Sequence, residues 1–164
     1  MSYLVIILPP PPKACDRNHG KNGIAAAGEN KRARLIGKMK AVEAMVKQGV
    51  KRGELLPRRL WLYRFEQGRS VKDWDNIAAG FKRYQDGIFD ALGWDDDCIM
   101  DAHVHKEYVE DIPGFSSKQG AVMAGWLAVV VENGPFPVFD GGLCEVVDLA
   151  RAVYEAAAKK GGKV

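Results

Sequence analysis

Long apolar runs are missing from this 164-residue chain. The longest near the N-terminus, Tyr3 to Leu8, is stopped by the four prolines Pro9–Pro12. It is too short for a signal-peptide core or a membrane span, and a cytoplasmic protein without membrane contact is the expectation. Cysteine is scarce: Cys15, Cys98 and Cys144 lie far apart with no Cys-x-x-Cys pair among them. That argues against a zinc ribbon and for three reduced thiols. No glycine-rich phosphate loop of the P-loop or dinucleotide type occurs. Each half of the chain is short of one charge. Residues 1–83 carry 18 Lys and Arg against 7 Asp and Glu, residues 84–164 carry 6 against 14, and the net charge of +3 hides the split. A basic half suits a polyanion such as nucleic acid; otherwise the two halves pair with each other.

What is present reads as one domain over residues 1–164. Tyr3–Leu8 has the composition of a strand, and Pro9–Pro12, unable to donate ladder hydrogen bonds, must leave the sheet. Residues 13–30 are polar and glycine-bearing and read as a loop. From about Asn30 to Gly49, Leu35, Met39, Val42, Met45 and Val46 recur at three- and four-residue spacing. This predicts a helix, with Lys31, Arg32, Arg34, Lys38, Lys40 and Lys47 over much of its remaining surface. Leu60–Phe65 follows as a strand. A second helix, about Asn76 to Leu92, has Asp75 at its N-cap and Ile77, Phe81, Ile88 and Leu92 as its buried stripe. After an acidic turn, Gly93–Asp97, come strands over Ile99–Val109 and Ala121–Glu132, separated by a loop at Asp111–Gln119. A C-terminal helical extension, residues 143–160, sets Val146, Leu149, Val153 and Ala157 on one face. The order β-α-β-α-β-β-α predicts an α+β fold.

The segment Lys72-Asp73-Trp74-Asp75-Asn76 carries the most chemistry. In extended backbone, residues two apart point to the same side, so Asp73 and Asp75 aim two carboxylates at one point. Such a pair repels unless a cation lies between, and a hard cation such as Mg²⁺ prefers oxygen ligands. The competing reading is that Asp75 simply caps the helix. Along that helix Lys82 and Asp86 fall about 20° to either side of Asp75, on one face, and form an i,i+4 pair. A lysine held by a carboxylate suits the neutralisation of phosphate charge; an isolated surface ion pair is the plainer alternative. Asp95-Asp96-Asp97 either forms a solvated acidic turn or supplies a third carboxylate. The latter requires the strand from Ile99 to lie beside the one ending at Phe65. His103 and His105 alternate on a strand without a third soft ligand nearby, which favours ordinary strand histidines over a transition-metal site. Trp61 and Trp126 read as core or dimer residues.

Asp73-Trp74-Asp75-Asn76, then Lys82, Asp86 and Asp95-Asp96 followed by Ile99, resembles the RusA family of crossover junction endodeoxyribonucleases, the RusA-type Holliday junction resolvases. The proline-rich exit Leu8-Pro9-Pro10-Pro11 and the basic helix after it are also similar to that family, and the resemblance covers roughly residues 3–132. It implies a homodimer with a small mixed sheet, two core helices and two metal sites. Each site would make one nick, so that paired symmetric nicks resolve a four-way junction in recombination and repair. By position, Asp73, Asp75 and Asp96 resemble the catalytic, metal-holding carboxylates and Lys82 the catalytic lysine, with Asn76, Asp86 and Asp95 supporting them. The implied cofactor is Mg²⁺, with Mn²⁺ able to substitute. Lys82 departs from the pattern: it stands six residues after Asn76, where some members place the lysine three after.

For the DNA backbone, Arg17, Lys21, Lys31, Arg32, Arg34 and Lys38 are the candidate phosphate contacts, or else part of a solvated basic face. Two other classes compete. One is a non-catalytic protein of the same fold that binds branched DNA. The other is a sugar-nucleotide transferase holding a metal diphosphate on Asp73 and Asp75, for which the chain is short and lacks a βαβ series.

Overall fold

The computed structural model describes residues 3–12, 23–68, 74–133 and 143–161. Strand β1, Tyr3–Leu8, is followed by Pro9–Pro12 outside the sheet. Helix α1 covers Gly23–Gln48, so residues 23–30, expected as loop, are helical. The Ala25-Ala26-Ala27 run, made of the best helix former, explains the earlier start. Gly49, at φ +72°, ends α1 in the left-handed conformation. The N–H of Val50 then donates to the Met45 carbonyl at 2.9 Å and satisfies an orphan acceptor of the last turn.

Strand β2 is Arg59–Glu66, helix α2 Trp74–Leu92 and strand β3 Asp101–Tyr108. Asp75 therefore lies in the first turn of α2 rather than at its N-cap, a shift of the kind common at helix ends. The expected strand Ala121–Glu132 is corrected in its first half. A short helix α3, Ser117–Met123, occupies that stretch, and strand β4 begins only at Leu127 and ends at Glu132. Ser116 and Gln119 form a reciprocal capping box that starts α3, and Gly125, at φ +82°, turns the chain into β4. Helix α4 is Leu143–Gly161.

The described strands form one four-stranded mixed sheet in the order β1-β4-β2-β3. Strand β4 runs antiparallel to both β1 and β2. Strands β2 and β3 are parallel from Arg59 opposite Asp101 to Glu66 opposite Tyr108. A parallel pair needs a crossover, and α2 supplies it. This adjacency is the one a third carboxylate near Ile99 requires.

Two apolar clusters hold the layers together. On one sheet face Leu4, Ile6, Leu8, Leu60, Leu62 and Val129 pack under α1 and α2, where Ile77, Phe81, Tyr84, Ile88 and Leu92 are buried. On the other, Phe65, Trp126, Ala128 and Val130 pack under α4 through Val146, Leu149, Val153 and Ala157. The inward side of α1 is built from Ala33, Ala41, Ala44 and Met45. Its larger apolar residues Leu35, Met39, Val42 and Val46 face solvent.

Candidate active site

The acidic turn after α2 is a single 3-10 turn, Asp96–Cys98, and its geometry gives the neighbouring aspartates different tasks. The Asp95 side chain turns back to accept the Asp96 N–H at 2.9 Å and so caps the turn. Asp96 is left to point outward and accepts a hydrogen bond from the Lys82 ammonium. Lys82 also lies 3.3 Å from Asp86, one helical turn further along α2, and Asp86 in turn meets Arg83 at 3.4 Å. Residues 82, 86 and 96 thus meet at the surface, as the helical spacing and the strand adjacency together allow.

The electrostatics follow from this contact. The hydrogen bond from Lys82, helped by its charge, holds the Asp96 carboxyl below the ordinary range. The hydrogen bond to Asp96 raises the Lys82 ammonium above the usual lysine value, against the effect of partial burial, with Asp86 adding to the rise. Both groups stay charged at neutral pH, and both remain open to solvent.

Other candidate residues lie elsewhere. Asp75 is exposed in the first turn of α2, and Asn76 beside it is half-buried. Lys82 meets Asp86 and Asp96, and Asp75 precedes it by about 10 Å of helix rise. Asp73, Arg17 and Lys21 fall outside the described residues. Lys31, Arg32 and Lys38 are exposed on α1. Arg34 is exposed too, but its guanidinium forks onto the Asp90 carboxylate of α2 at 2.7 and 2.9 Å. Among the described residues no three His, Cys, Asp or Glu side chains converge to hold a metal ion. Carboxylate oxygens are the donors that a hard divalent cation prefers. Asp75 and Asp96 offer carboxylate oxygens within reach of water, and Asp96 is kept ionised.

His103 and His105 stack against aromatic rings of β2, His103 on Trp61 with centroids 4.3 Å apart and His105 on Tyr63 at 4.9 Å. Burial, then the charge of His103, lowers the His105 pKa. The pair thus belongs to a sheet-face ladder, as strand histidines would.

Sequence reasoning missed an open cleft of about 540 Å³ at the C-terminal end of α2, whose walls include Arg34, Lys38, Arg52, Asp90, Trp94 and Asp95. Its signal was available in part. Asp90 lies one helical turn after Asp86, and Trp94 directly precedes the acidic turn, but nothing in the order of residues shows that α1 crosses α2 there. No model of a known protein family matches this chain, and no curated protein matches it. What the fold and site define by themselves is an α+β sheet domain with a solvent-facing lysine–carboxylate cluster and, at the C-terminal end of α2, an open cleft lined by cations, carboxylates and Trp94.

Proposed function

We propose that the protein is a Mg²⁺-dependent, structure-selective DNA endonuclease that resolves four-way junctions by paired nicks. The observation that carries this reading is the meeting of Lys82 with Asp96 across fourteen residues of sequence, at the positions where the resemblance to RusA-type resolvases puts the catalytic lysine and the third carboxylate. Asp73, Asp75 and Asp96 would hold Mg²⁺, or Mn²⁺ in its place. When bound, the cation supplies the Lewis acid for phosphodiester hydrolysis. Lys82 neutralises charge gathering on the phosphate oxygens. Asp86 and Asp96 keep Lys82 protonated and aimed, and Asp95 fixes the turn that presents Asp96. The exposed basic residues of α1 contact the DNA backbone and set register without reading bases. A second copy of the chain supplies the second nick, docking on the outer face of α1.

The test is cleavage of a synthetic four-way junction by purified protein with and without Mg²⁺. The expected result is metal-dependent paired nicking, abolished in Asp75→Asn and Asp96→Asn while junction binding is retained. Tight junction binding with no nicking in either Mg²⁺ or Mn²⁺ would replace this reading with that of a non-catalytic branched-DNA-binding protein.

A further inference from the structure

The cleft at the C-terminal end of α2, which Asp95 joins in sequence to Asp96, sets the cations Lys38 and Arg52 and the partly exposed Trp94 among the carboxylates of Asp90 and Asp95. Arg34 is spent on Asp90, but Lys38 and Arg52, whose charges also bear on Asp90, have no ion-pair partner among the described residues. The exposed Arg52 side chain passes close over Gly93. A Cβ on Gly93 would come within 2.9 Å of the Arg52 Nε, and φ of +81° at that residue also favours glycine. The next residue, Trp94, is 37% exposed. Two steps further stands Asp96, at most about 7 Å along an extended backbone, on the order of one nucleotide step. The opening, about 540 Å³, lies within the roughly 300–1,000 Å³ of ligand clefts.

We infer that this cleft binds the nucleotide flanking the cleaved phosphodiester, with its phosphate on Lys38 and Arg52 and its unpaired base stacked on Trp94. The chemistry selects that ligand. Two unpaired cations around an open rim suit a phosphate diester. An indole face binds a base only when the base is out of its own stack, because a continuous duplex presents base edges alone. Unstacking a base costs less at the discontinuity of a branch point than within linear duplex, so the cleft would confer structure selectivity without sequence reading. This assignment rests on the nuclease reading above and deepens it.

The experiment measures binding of a four-way junction and of a linear duplex of the same sequence, in Ca²⁺ so that cutting does not intervene, for the full-length chain and three variants. Trp94→Ala is expected to lose about tenfold in junction affinity while duplex affinity holds, and Trp94→Phe to retain most of the preference. The Lys38→Ala/Arg52→Ala double variant is expected to weaken both, with the slope of log affinity against log salt falling by about 2. If wild-type protein cuts junctions but Trp94→Ala keeps the wild-type junction preference, the cleft assignment is overturned and the nuclease reading stands. The same holds if Trp94→Ala weakens both DNAs equally. If wild-type protein neither binds nor cuts any DNA, both fall together. Thermal melting of each variant separates lost contacts from lost fold.

Discussion

At the scale of single residues, the contact between Lys82 and Asp96 separates chemistry from stability. Both side chains are largely solvated, so the pair contributes at most about 1 kcal/mol to folding. Its pH dependence has a definite sign. Asp96 titrates below its ordinary value of 3.8 in the folded chain. Its contribution is therefore fully present above that value and disappears as pH falls through the depressed one. Lys82 titrates above 10.5, so its contribution is present below that value and disappears as pH rises through the raised one. Between about pH 5 and 9 neither group makes stability vary with pH. Lys82→Ala is expected to leave the melting temperature within about 2 °C of wild type while lowering junction cleavage by roughly a hundredfold or more. Melting scans and single-turnover cleavage read the two separately. In Asp96→Asn the Lys82 ammonium loses the largest cause of its raised pKa. Side-chain NMR titration should find it shifted down toward the ordinary lysine value, and an unmoved titration would show that the contact does not exist in solution.

At the scale of elements, the crossing of α1 and α2 places Asp90 under Arg34 and gives the cleft its walls, and two glycines permit it. A Cβ built at Gly87 would lie 1.9 Å from the Arg34 carbonyl oxygen and 2.7 Å from the Lys38 amide nitrogen. At Gly37 it would lie 2.4 Å from the Tyr84 carbonyl oxygen. These neighbours are backbone and cannot rotate away, so the helices themselves would have to separate. Gly87→Ala is expected to destabilise the fold by about 3 kcal/mol or more, measured by urea unfolding, whereas Gly28→Ala, which meets nothing, should gain a few tenths from helix propensity. The same crossing explains what the sequence showed and what it concealed. The stripes of α2 and α4 were legible because their large apolar residues are the ones buried, and Gly49 was legible as a stop because a left-handed residue was needed there. On α1 the periodicity was legible but its direction was not. Close approach to α2 demands Gly37, Ala33 and Ala41 on the inside, so the conspicuous residues fall on the outside. The start of β4 was illegible because Ala121–Met123 is apolar enough to extend the strand, and only the Ser116–Gln119 box shows that a helix turn intervenes. Within the candidate site, Lys82 with Asp86 followed from spacing on one helix. Asp96 needed the β2–β3 adjacency, which no local pattern encodes.

At the scale of the whole molecule, the outward face of α1 bears on how two nicks could be paired. Leu35, Met39, Val42 and Val46 are 57%, 61%, 45% and 79% exposed, and their spacing of four, three and four residues matches the a and d positions of a coiled-coil seam. The second copy of the chain proposed above would dock on this row through an isologous two-fold contact. Eight half-exposed side chains, each gaining roughly 1.5 kcal/mol on burial, would supply about 12 kcal/mol gross. Association costs on the order of 4–15 kcal/mol, so the proposed contact alone would give a dissociable dimer and not an obligate one. Sedimentation equilibrium is therefore expected to show the average mass rising from one chain toward two over the micromolar range. Val42→Glu should hold the protein at one chain throughout, because it places like charges on both sides of the seam. The functional consequence is specific. The Val42→Glu protein should still nick a junction once in Mg²⁺, while the second, symmetric nick falls out of step with the first. That is read on a supercoiled cruciform plasmid as accumulation of nicked circles in place of linear product. A wild-type chain that stays at one chain mass at 100 µM (a concentration roughly a hundred times a micromolar dissociation constant), or a Val42→Glu variant that linearises the plasmid as wild type does, would remove α1 from the pairing of the nicks.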